Sequence, residues 1–344
     1  ALLKLTGDNS FNTAVGYEAG YELVSGTSNT LVGHDAGYGG TAASFSNVVA
    51  IGDEAGKSLT TANDVVAIGR RAFNSINTQA TNNVGVGFES LKAVTTGGTN
   101  VAIGTLAGSG ITTGADNVAI GANASTGSPT GSRNTFIGSG AGNLHDGNDA
   151  MGIGAFALNN DDGGSTSSNL AIGNYVGENL QNSTGGNVMI GYKVMQAAQG
   201  SYDNTVIGYE AGKAITDGHS NVVMGHEALI GLTTGDRNLA IGNESLKSVT
   251  TQNQNFAIGH QAAENFKGSG FCLAIGYQAA QSEDDHGPIF AIGHSALKNS
   301  NAGASNYNTA VGHSASSSTT DGRFGFGGSS RIPNRAEQAA SRRQ

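Results

Sequence analysis

Residues 100–107 read Asn-Val-Ala-Ile-Gly-Thr-Leu-Ala, and residues 117–124 read Asn-Val-Ala-Ile-Gly-Ala-Asn-Ala. Variants of this phrase recur along most of the chain, and we call the glycine in each one the repeat glycine. Most intervals between repeat glycines equal that from Gly104 to Gly121, and the others are slightly shorter or longer. Such internal periodicity predicts a solenoid in which each repeat forms one coil. The repeat glycines are residues 16, 33, 52, 69, 87, 104, 121, 138, 154, 173, 191, 208, 225, 242, 259, 276, 293 and 312.

The residues before the repeat glycine have the character of a β-strand. The residue directly before it is Val or Ile in every repeat but one, which has Met224, and β-branched side chains favour strands. We predict that this residue is the main core position. The period of two in a strand places it on one face with the residue three before the glycine, and places the intervening Ala on the other face.

Two positions after the repeat glycine also recur. The third residue after it is Ala, Ser or Val throughout, which indicates close packing. The seventh is apolar in many repeats, as in Leu23, Ile111 and Phe266, and Thr-Thr-Gly often follows, as at residues 112–114. This pattern predicts a strand, a glycine bend, a second strand and a turn in each repeat.

Asn lies four residues before the repeat glycine in thirteen repeats, including Asn100 and Asn117. Asn tolerates left-handed backbone geometry, and its amide can bond to the same amide in the next coil. We predict an Asn ladder along the edge of the turns. A row of ligand-binding amides is the functional alternative.

The composition excludes several classes of protein. The chain has 344 residues with 55 Gly, three Pro and no Trp, and 12% are charged, where a typical soluble domain has about 25%. This favours a glycine-punctuated β-structure over collagen or a Pro-rich linker. A net charge of −9 disfavours nucleic-acid binding. No stretch approaches the ~18 apolar residues of a membrane span, and the single Cys272 cannot form a disulfide within the chain.

These observations predict an all-β fold, a parallel β-roll or solenoid of about 18 repeats. A coil this short, lined by Ala and Gly, is too thin to enclose a sizeable core, so the Val/Ile stripe needs another surface. Self-association, most simply as a homotrimer, would supply that surface. We divide the chain into a lead-in (1–11), a repeat array (12–322) and a basic C-terminal cap or tail (323–344), which holds five of the 17 basic residues.

The phrase at residues 100–107 and 117–124 resembles the head repeats of trimeric autotransporter adhesins, and related repeats occur in bacteriophage tail fibres. The resemblance covers residues 12–315. It implies a parallel homotrimer of left-handed β-rolls that binds host surfaces. The chain departs from the adhesin pattern by its longer repeat and by the absence of stalk heptads and a membrane-anchor segment. These departures favour the phage-type fibre.

We therefore expect a structural or adhesive fibre protein, most simply a viral tail-fibre segment located in the virion or outside the cell. A bacterial surface adhesin head or an extracellular filament protein is the alternative. The expected partners are other copies of the chain and a host-surface glycan or protein receptor, with no nucleic acid and no membrane insertion. We expect no enzymatic activity, no catalytic residues and no cofactor. An ice-binding solenoid and a polysaccharide-degrading spike are the remaining alternatives.

The residue after the repeat glycine is often aromatic or His, and we call this position the ring row. A Glu or Asp commonly follows it, so the row could stack on sugars and hydrogen-bond to them. The alternative is solvated strand surface or a contact between chains. The candidate glycan-contacting residues are Tyr17, His34, Phe88, Tyr192, Tyr209, His226, His260, Tyr277, His294 and His313.

Three segments depart from the repeat, at residues 38–47, 159–168 and 281–288. We expect all three to be exposed turns. The last contains the acidic run Glu283, Asp284, Asp285 and His286, whose oxygen atoms are suited to Ca²⁺. Consecutive residues of one loop rarely all point inward, so we predict a solvated loop and no metal site.

Overall fold

A computed structural model of the chain describes residues 11–75, 80–161, 168–181, 185–268, 271–282, 288–299, 308–318 and, by backbone alone, 324–326. It divides into two compact units, Ala1–Gly185 and Gly186–Gln344. Each unit is a parallel β-solenoid of short strands, and the residues in these ranges include no helix. The predicted all-β solenoid is confirmed.

The strands of the first unit follow the repeat. β1, β3 and β5 to β12 pair in parallel in chain order, while β2 pairs with β4. Equivalent residues lie opposite one another, so that Val101–Ile103 pairs with Val118–Ile120. The strands are β1 (Thr13–Val15), β2 (Leu23–Ser25), β3 (Thr30–Val32), β4 (Ala43–Ser44), β5 (Val49–Ile51), β6 (Val66–Ile68), β7 (Val84–Val86), β8 (Val101–Ile103), β9 (Val118–Ile120), β10 (Thr135–Ile137), β11 (Met151–Ile153) and β12 (Leu170–Ile172).

The second unit has the same organisation. Its strands pair in parallel from β13 to β21. The last strand lies in the segment predicted to be a cap or tail, although the three predicted segment boundaries stay predictions. The strands are β13 (Val188–Tyr192), β14 (Thr205–Tyr209), β15 (Val222–Met224), β16 (Leu239–Ile241), β17 (Phe256–Ile258), β18 (Cys272–Ile275), β19 (Ile289–Ile292), β20 (Asn308–Val311) and β21 (Phe324–Phe326).

The repeat glycines stack directly on one another. Gly104 has a φ of 135°, and a Cβ added to it would lie 2.6 Å from the carbonyl oxygen of Gly121. Gly121 has a φ of 128° and would meet Gly138 at 2.5 Å. Any other residue would combine an unfavourable φ with a backbone clash. Glycine is therefore required where consecutive backbones approach.

The predicted second strand forms only at β2 and β4 among the described coils; elsewhere the chain after the repeat glycine makes consecutive turns. Leu106 and Gly108 are left-handed, with φ of 58° and 60°. The amides of Ala107, Ser109 and Ile111 each donate to a carbonyl three residues earlier. Because left-handed residues alternate along this segment, it cannot extend into a strand.

The core lies inside each coil and excludes the residue before the repeat glycine. That residue points outward, and Ile103 is 41% exposed. The prediction that it is the main core position is wrong. The interior is filled by the Ala two residues before the glycine and by the third and seventh residues after it, as in Ala102, Ala107 and Ile111. The predicted alternation of strand faces is correct. The residues one and three before the repeat glycine share the outward face, where they form the Val/Ile stripe, and the Ala between them faces the interior.

In several coils, glycine at one interior position faces a large side chain at the other. Phe136 lies opposite Gly142, where an added Cβ would come within 2.5 Å of the Phe136 ring. Leu31 blocks Gly37 in the same way. Where the strand instead holds Gly85, the facing position holds the buried Leu91. Other coils hold two large residues at these positions, as with the buried Met189 and Met195, or two small ones, as with Ala102 and Gly108, so the interior volume varies along the solenoid.

The Asn ladder is confirmed, and it is buried inside the coil instead of lying at an exposed turn edge. The backbone N–H and side-chain Nδ2 of Asn221 both donate to Asn204 Oδ1, at 2.9 and 3.0 Å. Nδ2 also donates to the Gly235 carbonyl at 2.9 Å. Asn238 repeats the arrangement on Asn221. Cys272 continues the column, and its backbone N–H donates to Asn255 Oδ1 at 3.1 Å.

We expect Asn221→Ala to destabilise the second unit by about 3 kcal/mol or more, because it leaves the Gly235 carbonyl and the backbone N–H of Asn238 buried without these partners. Urea unfolding followed by circular dichroism measures the change. Asn243→Ala, on the half-buried outward side, is the matched control and should change the stability by less than about 0.5 kcal/mol. Equal effects of the two substitutions would contradict a structural ladder.

Candidate functional site

The ring row of the second unit forms two continuous stacks. Tyr209 lies between Tyr192 and His226, with ring centroids 5.2 and 5.1 Å apart. Tyr277 lies between His260 and His294 at 5.2 and 4.9 Å, and His313 extends this stack at 4.8 Å. Tyr209 and Tyr277 are 47% and 45% exposed. The structure therefore places seven of the predicted contact residues in two exposed rows of rings.

The first unit brings its predicted ring-row residues together less completely. Tyr17 stacks on His34 at 5.4 Å, and the guanidinium of Arg70 lies 4.7 Å above the ring of Phe88. The side chain of His34 also contacts Asp53, with Nδ1 and Oδ1 3.1 Å apart. From the next coil onward the ring row holds small residues. The exposed aromatic surface of this row is thus confined to the first coils.

The carboxylates beside the ring row are engaged in ion pairs. Glu54 accepts from Lys57 Nζ and from Arg71 Nε, both at 2.7 Å. Lys57 also contacts Asp35 at 3.0 Å. In the second unit Lys247 bridges Glu227 and Glu244, both at 2.7 Å. These carboxylates form ladders of alternating charge, so they are less available to sugar hydroxyls than the sequence indicated.

The ion pairs change the ionisation of these groups. The hydrogen bond from Lys57, followed by that from Arg71, lowers the pKa of Glu54 from 4.5 to about 2. Lys92 likewise lowers the pKa of Glu89, and Lys247 lowers that of Glu244. The ladders consequently remain charged through the physiological pH range.

A Ser, a His and an Asp occupy the seventh position after the repeat glycine in three consecutive coils. They are Ser128, His145 and Asp161, all at most 1% exposed. His145 Nδ1 lies 3.1 Å from Asp161 Oδ2, and the imidazole packs edge-on against Phe136. Residue types that resemble a catalytic triad thus fill the interior, where substrate has no access. They replace the Leu, Val or Ile of other coils.

Two of the irregular segments contain buried residues that the prediction placed in exposed turns. Phe45 and Asp161 are both fully buried, Phe45 because the longer coil returns it to the core. Residues 162–167 and the acidic run 283–286 lie outside the described residues. Within the described ranges, no three His, Cys, Asp or Glu side chains lie close enough to hold a metal ion.

Three further ring pairs lie outside the ring row and were not predicted. Tyr21 stacks on Tyr38 at 5.4 Å, Phe156 on Tyr175 at 5.4 Å, and Tyr202 on His219 at 4.6 Å. Each pair joins equivalent positions of adjacent coils. Alignment on the repeat glycines would have revealed them.

Searches against protein-family models, curated proteins and solved structures gave no match to this chain. The part of the chain that the structure describes also has no helix of the length and apolarity needed to span a membrane. The resemblance to fibre and adhesin repeats therefore rests on the repeat phrase.

We expect Glu54→Gln to destabilise the first unit at neutral pH and to have progressively less effect in acid. The folded pKa of about 2 lies below the ordinary 4.5. The ionised carboxylate thus contributes stability above about pH 4.5, and this contribution is lost as the pH falls towards 2. Urea unfolding of the wild-type protein and of Glu54→Gln, repeated from pH 7 to pH 2, measures the difference in their free energies of unfolding.

Lys57→Met is the matched variant of the partner residue, and the double variant gives the coupling energy of the pair. A destabilisation by Glu54→Gln that is equal at pH 7 and pH 2 would contradict the role of its charge.

Proposed function

We propose that this chain is a structural and adhesive fibre protein which assembles as a parallel homotrimer and attaches to a host surface, as a segment of a viral tail fibre. The observation that carries the proposal is the outward apolar stripe, formed by the residues one and three before the repeat glycine. Within each unit it continues from strand to strand. These positions contain only apolar residues and Thr.

The stripe is partly exposed in both units. Ile103 and Ile137 are 41% and 36% exposed in the first, and Met224 and Phe256 are each 41% exposed in the second. Soluble monomers rarely expose a continuous apolar surface of this kind. The same stripe of another copy would cover this surface best, because parallel association places equivalent coils of the two copies side by side. Closed cyclic symmetry limits the number of copies in such an assembly. The number three comes from the resemblance to the repeats of trimeric adhesins and tail fibres.

The receptor-binding role is assigned to the ring row. Stacked rings hold their side chains in fixed orientations before any ligand arrives, which lowers the entropic cost of binding. The exposed edges of these rings offer an apolar contact to the CH groups of a glycan, and the Tyr hydroxyls and His nitrogen atoms can hydrogen-bond to its OH groups. Since the rows repeat the same contact in each coil, weak individual contacts would add by multivalency. The proposal assigns no catalytic role and places the protein in the virion.

We expect the purified chain to have a native mass close to three times its 34.4 kDa. Replacing Ile103 and Ile137 by Glu should shift the assembly to monomers, because each charge would be buried at the interface. Sedimentation velocity measures the mass, and circular dichroism checks that the β-structure is retained. The matched control is Thr113→Glu, at an exposed turn position. A compact wild-type monomer at micromolar concentration would overturn the proposed assembly.

We expect the wild-type chain to bind host-surface glycans on an array, and Tyr209→Ala or Tyr277→Ala to weaken that binding by about tenfold, the usual effect of losing an aromatic anchor. Phe271→Ala, which removes an exposed ring outside the ring row, is the control. Retention of full binding by both Tyr variants would assign the receptor site elsewhere and contradict the role of the row.

A further inference from the structure

One basic side chain of the first unit differs from the others in its contacts. The structure describes five Lys and Arg residues in this unit, and Lys57, Arg71, Lys92 and Arg133 each contact an Asp or Glu side chain at 3.0 Å or less. The fifth, Arg70, is exposed and contacts no carboxylate in the described part of the chain. Its charge therefore has no counter-ion within the unit as described.

The guanidinium of Arg70 is held over the ring of Phe88. Its central carbon lies 4.7 Å from the ring centroid, in the attractive range for a cation on an aromatic face. The two residues occupy the ring row of consecutive coils, and the backbone N–H of Glu89 donates to the Arg70 carbonyl at 3.0 Å. The N–H groups of a guanidinium lie in its plane. Stacking therefore orients the guanidinium by its face and leaves its edge able to donate to a ligand.

Two carboxylates of the adjacent coils are engaged elsewhere. Asp53 precedes Arg70 in the ring row, and its Oδ1 lies 3.1 Å from His34 Nδ1. Glu89 follows the ring row in the next coil and accepts from Lys92 Nζ at 2.8 Å. Both contacts hold acidic side chains that could otherwise turn towards Arg70. A carboxylate from outside the chain would supply the counter-ion that Arg70 lacks.

The local charge permits a single anion at this place. Residues 53–92 contain four basic and four acidic residues, so the segment has no net charge. Residues 1–185 together contain 6 Lys and Arg against 14 Asp and Glu, a net charge of −8. Most of the first unit thus repels an anion, and this segment does so least. A ligand with one carboxylate fits this charge distribution, whereas a polyanion would extend over the acidic surface.

We propose that Arg70 and Phe88 form a binding site for the carboxylate of an acidic saccharide, a sialic or uronic acid. The guanidinium edge donates two parallel hydrogen bonds to the two carboxylate oxygens, the geometry that this pair of groups favours. The half-buried Phe88 ring offers its edge to the CH groups of the sugar beside the carboxylate. The inference rests on the glycan-binding role proposed for the ring row, and it names the ligand class for that row in the first unit.

The test is titration calorimetry of the full chain with matched oligosaccharides: sialyllactose, lactose and sulfated lactose, and a uronic-acid disaccharide with its neutral counterpart. The wild-type chain should bind a carboxylate-bearing member about tenfold or more tighter than its neutral counterpart, and added salt should weaken this binding. Arg70→Met, which keeps the aliphatic stem, should weaken it by about tenfold or more, because charged hydrogen bonds are lost. Arg70→Lys should restore only part, since an ammonium lacks the planar fork.

Two further variants separate the site from the charge of the unit. Phe88→Leu should also weaken the binding of the acidic saccharide, because the guanidinium loses the ring that orients it. Arg133→Met is the matched control: it removes the same charge from the same unit, but Arg133 is paired with Asp149. It should therefore leave binding unchanged. Thermal unfolding confirms that each variant is folded.

The inference is overturned if acidic and neutral oligosaccharides bind equally, or if Arg70→Met and Arg133→Met weaken binding to the same extent. Equal affinity for sulfated lactose or for a Glu-rich peptide would make Arg70 a general anion contact and also overturn it. Neutral glycans that bind and are lost only in Tyr209→Ala or Tyr277→Ala would support the function proposed for the ring row and contradict this site. Absence of binding to any saccharide would overturn both.

Discussion

The contact between successive repeat glycines is the constraint on which the rest of the structure depends. The backbones of consecutive coils meet at a position such as Gly104 over Gly121, where no side chain fits. This contact fixes the register between coils, and a slip by one residue would turn every side chain to the opposite face. Once the register is fixed, all other positions fall into columns. The Asn ladder, the ion-pair ladders and the ring stacks are consequences of that alignment.

The narrow interior then decides which residues lie inside. Two turns and one short strand enclose little volume, so small residues such as Ala and Gly fill much of each coil beside one to three larger side chains. Where the strand holds Phe136 the facing residue is Gly142, and where it holds Gly85 the facing residue is the larger Leu91. The Asn amide is admitted because its hydrogen bonds are satisfied by the coils on either side. Because the strand side chains alternate between faces, the Val and Ile one and three residues before the repeat glycine face outward when the residue between them faces the interior.

The repeat, the glycine bend, the small third residue and the Asn ladder could all be predicted from the sequence, because each depends on one position and its period. The outward orientation of Ile103 could not be predicted, because a column of β-branched residues is typical both of a buried core and of an apolar surface. The missing second strand depends on left-handed residues such as Leu106, a residue type that gives no signal for that conformation. The column of Ser128, His145 and Asp161 could not be predicted, because the seventh position after the repeat glycine holds apolar residues in many repeats and three polar residues there gave no sign of their burial.

Regular columns also limit the kind of site that a solenoid can build. Equivalent side chains repeat at about the 4.8 Å strand spacing, which produces ridges and flat rows instead of enclosed pockets. Along such a row the same side-chain contact repeats from coil to coil, as in the stacks around Tyr209 and Tyr277. A distinct local site requires a break in the columns. The coil that ends at Gly154 is shorter than most and the coil that follows it is longer. This change of coil length provides such a break, and beside it the stacked rings of Phe156 and Tyr175 lie one position away from the ring row.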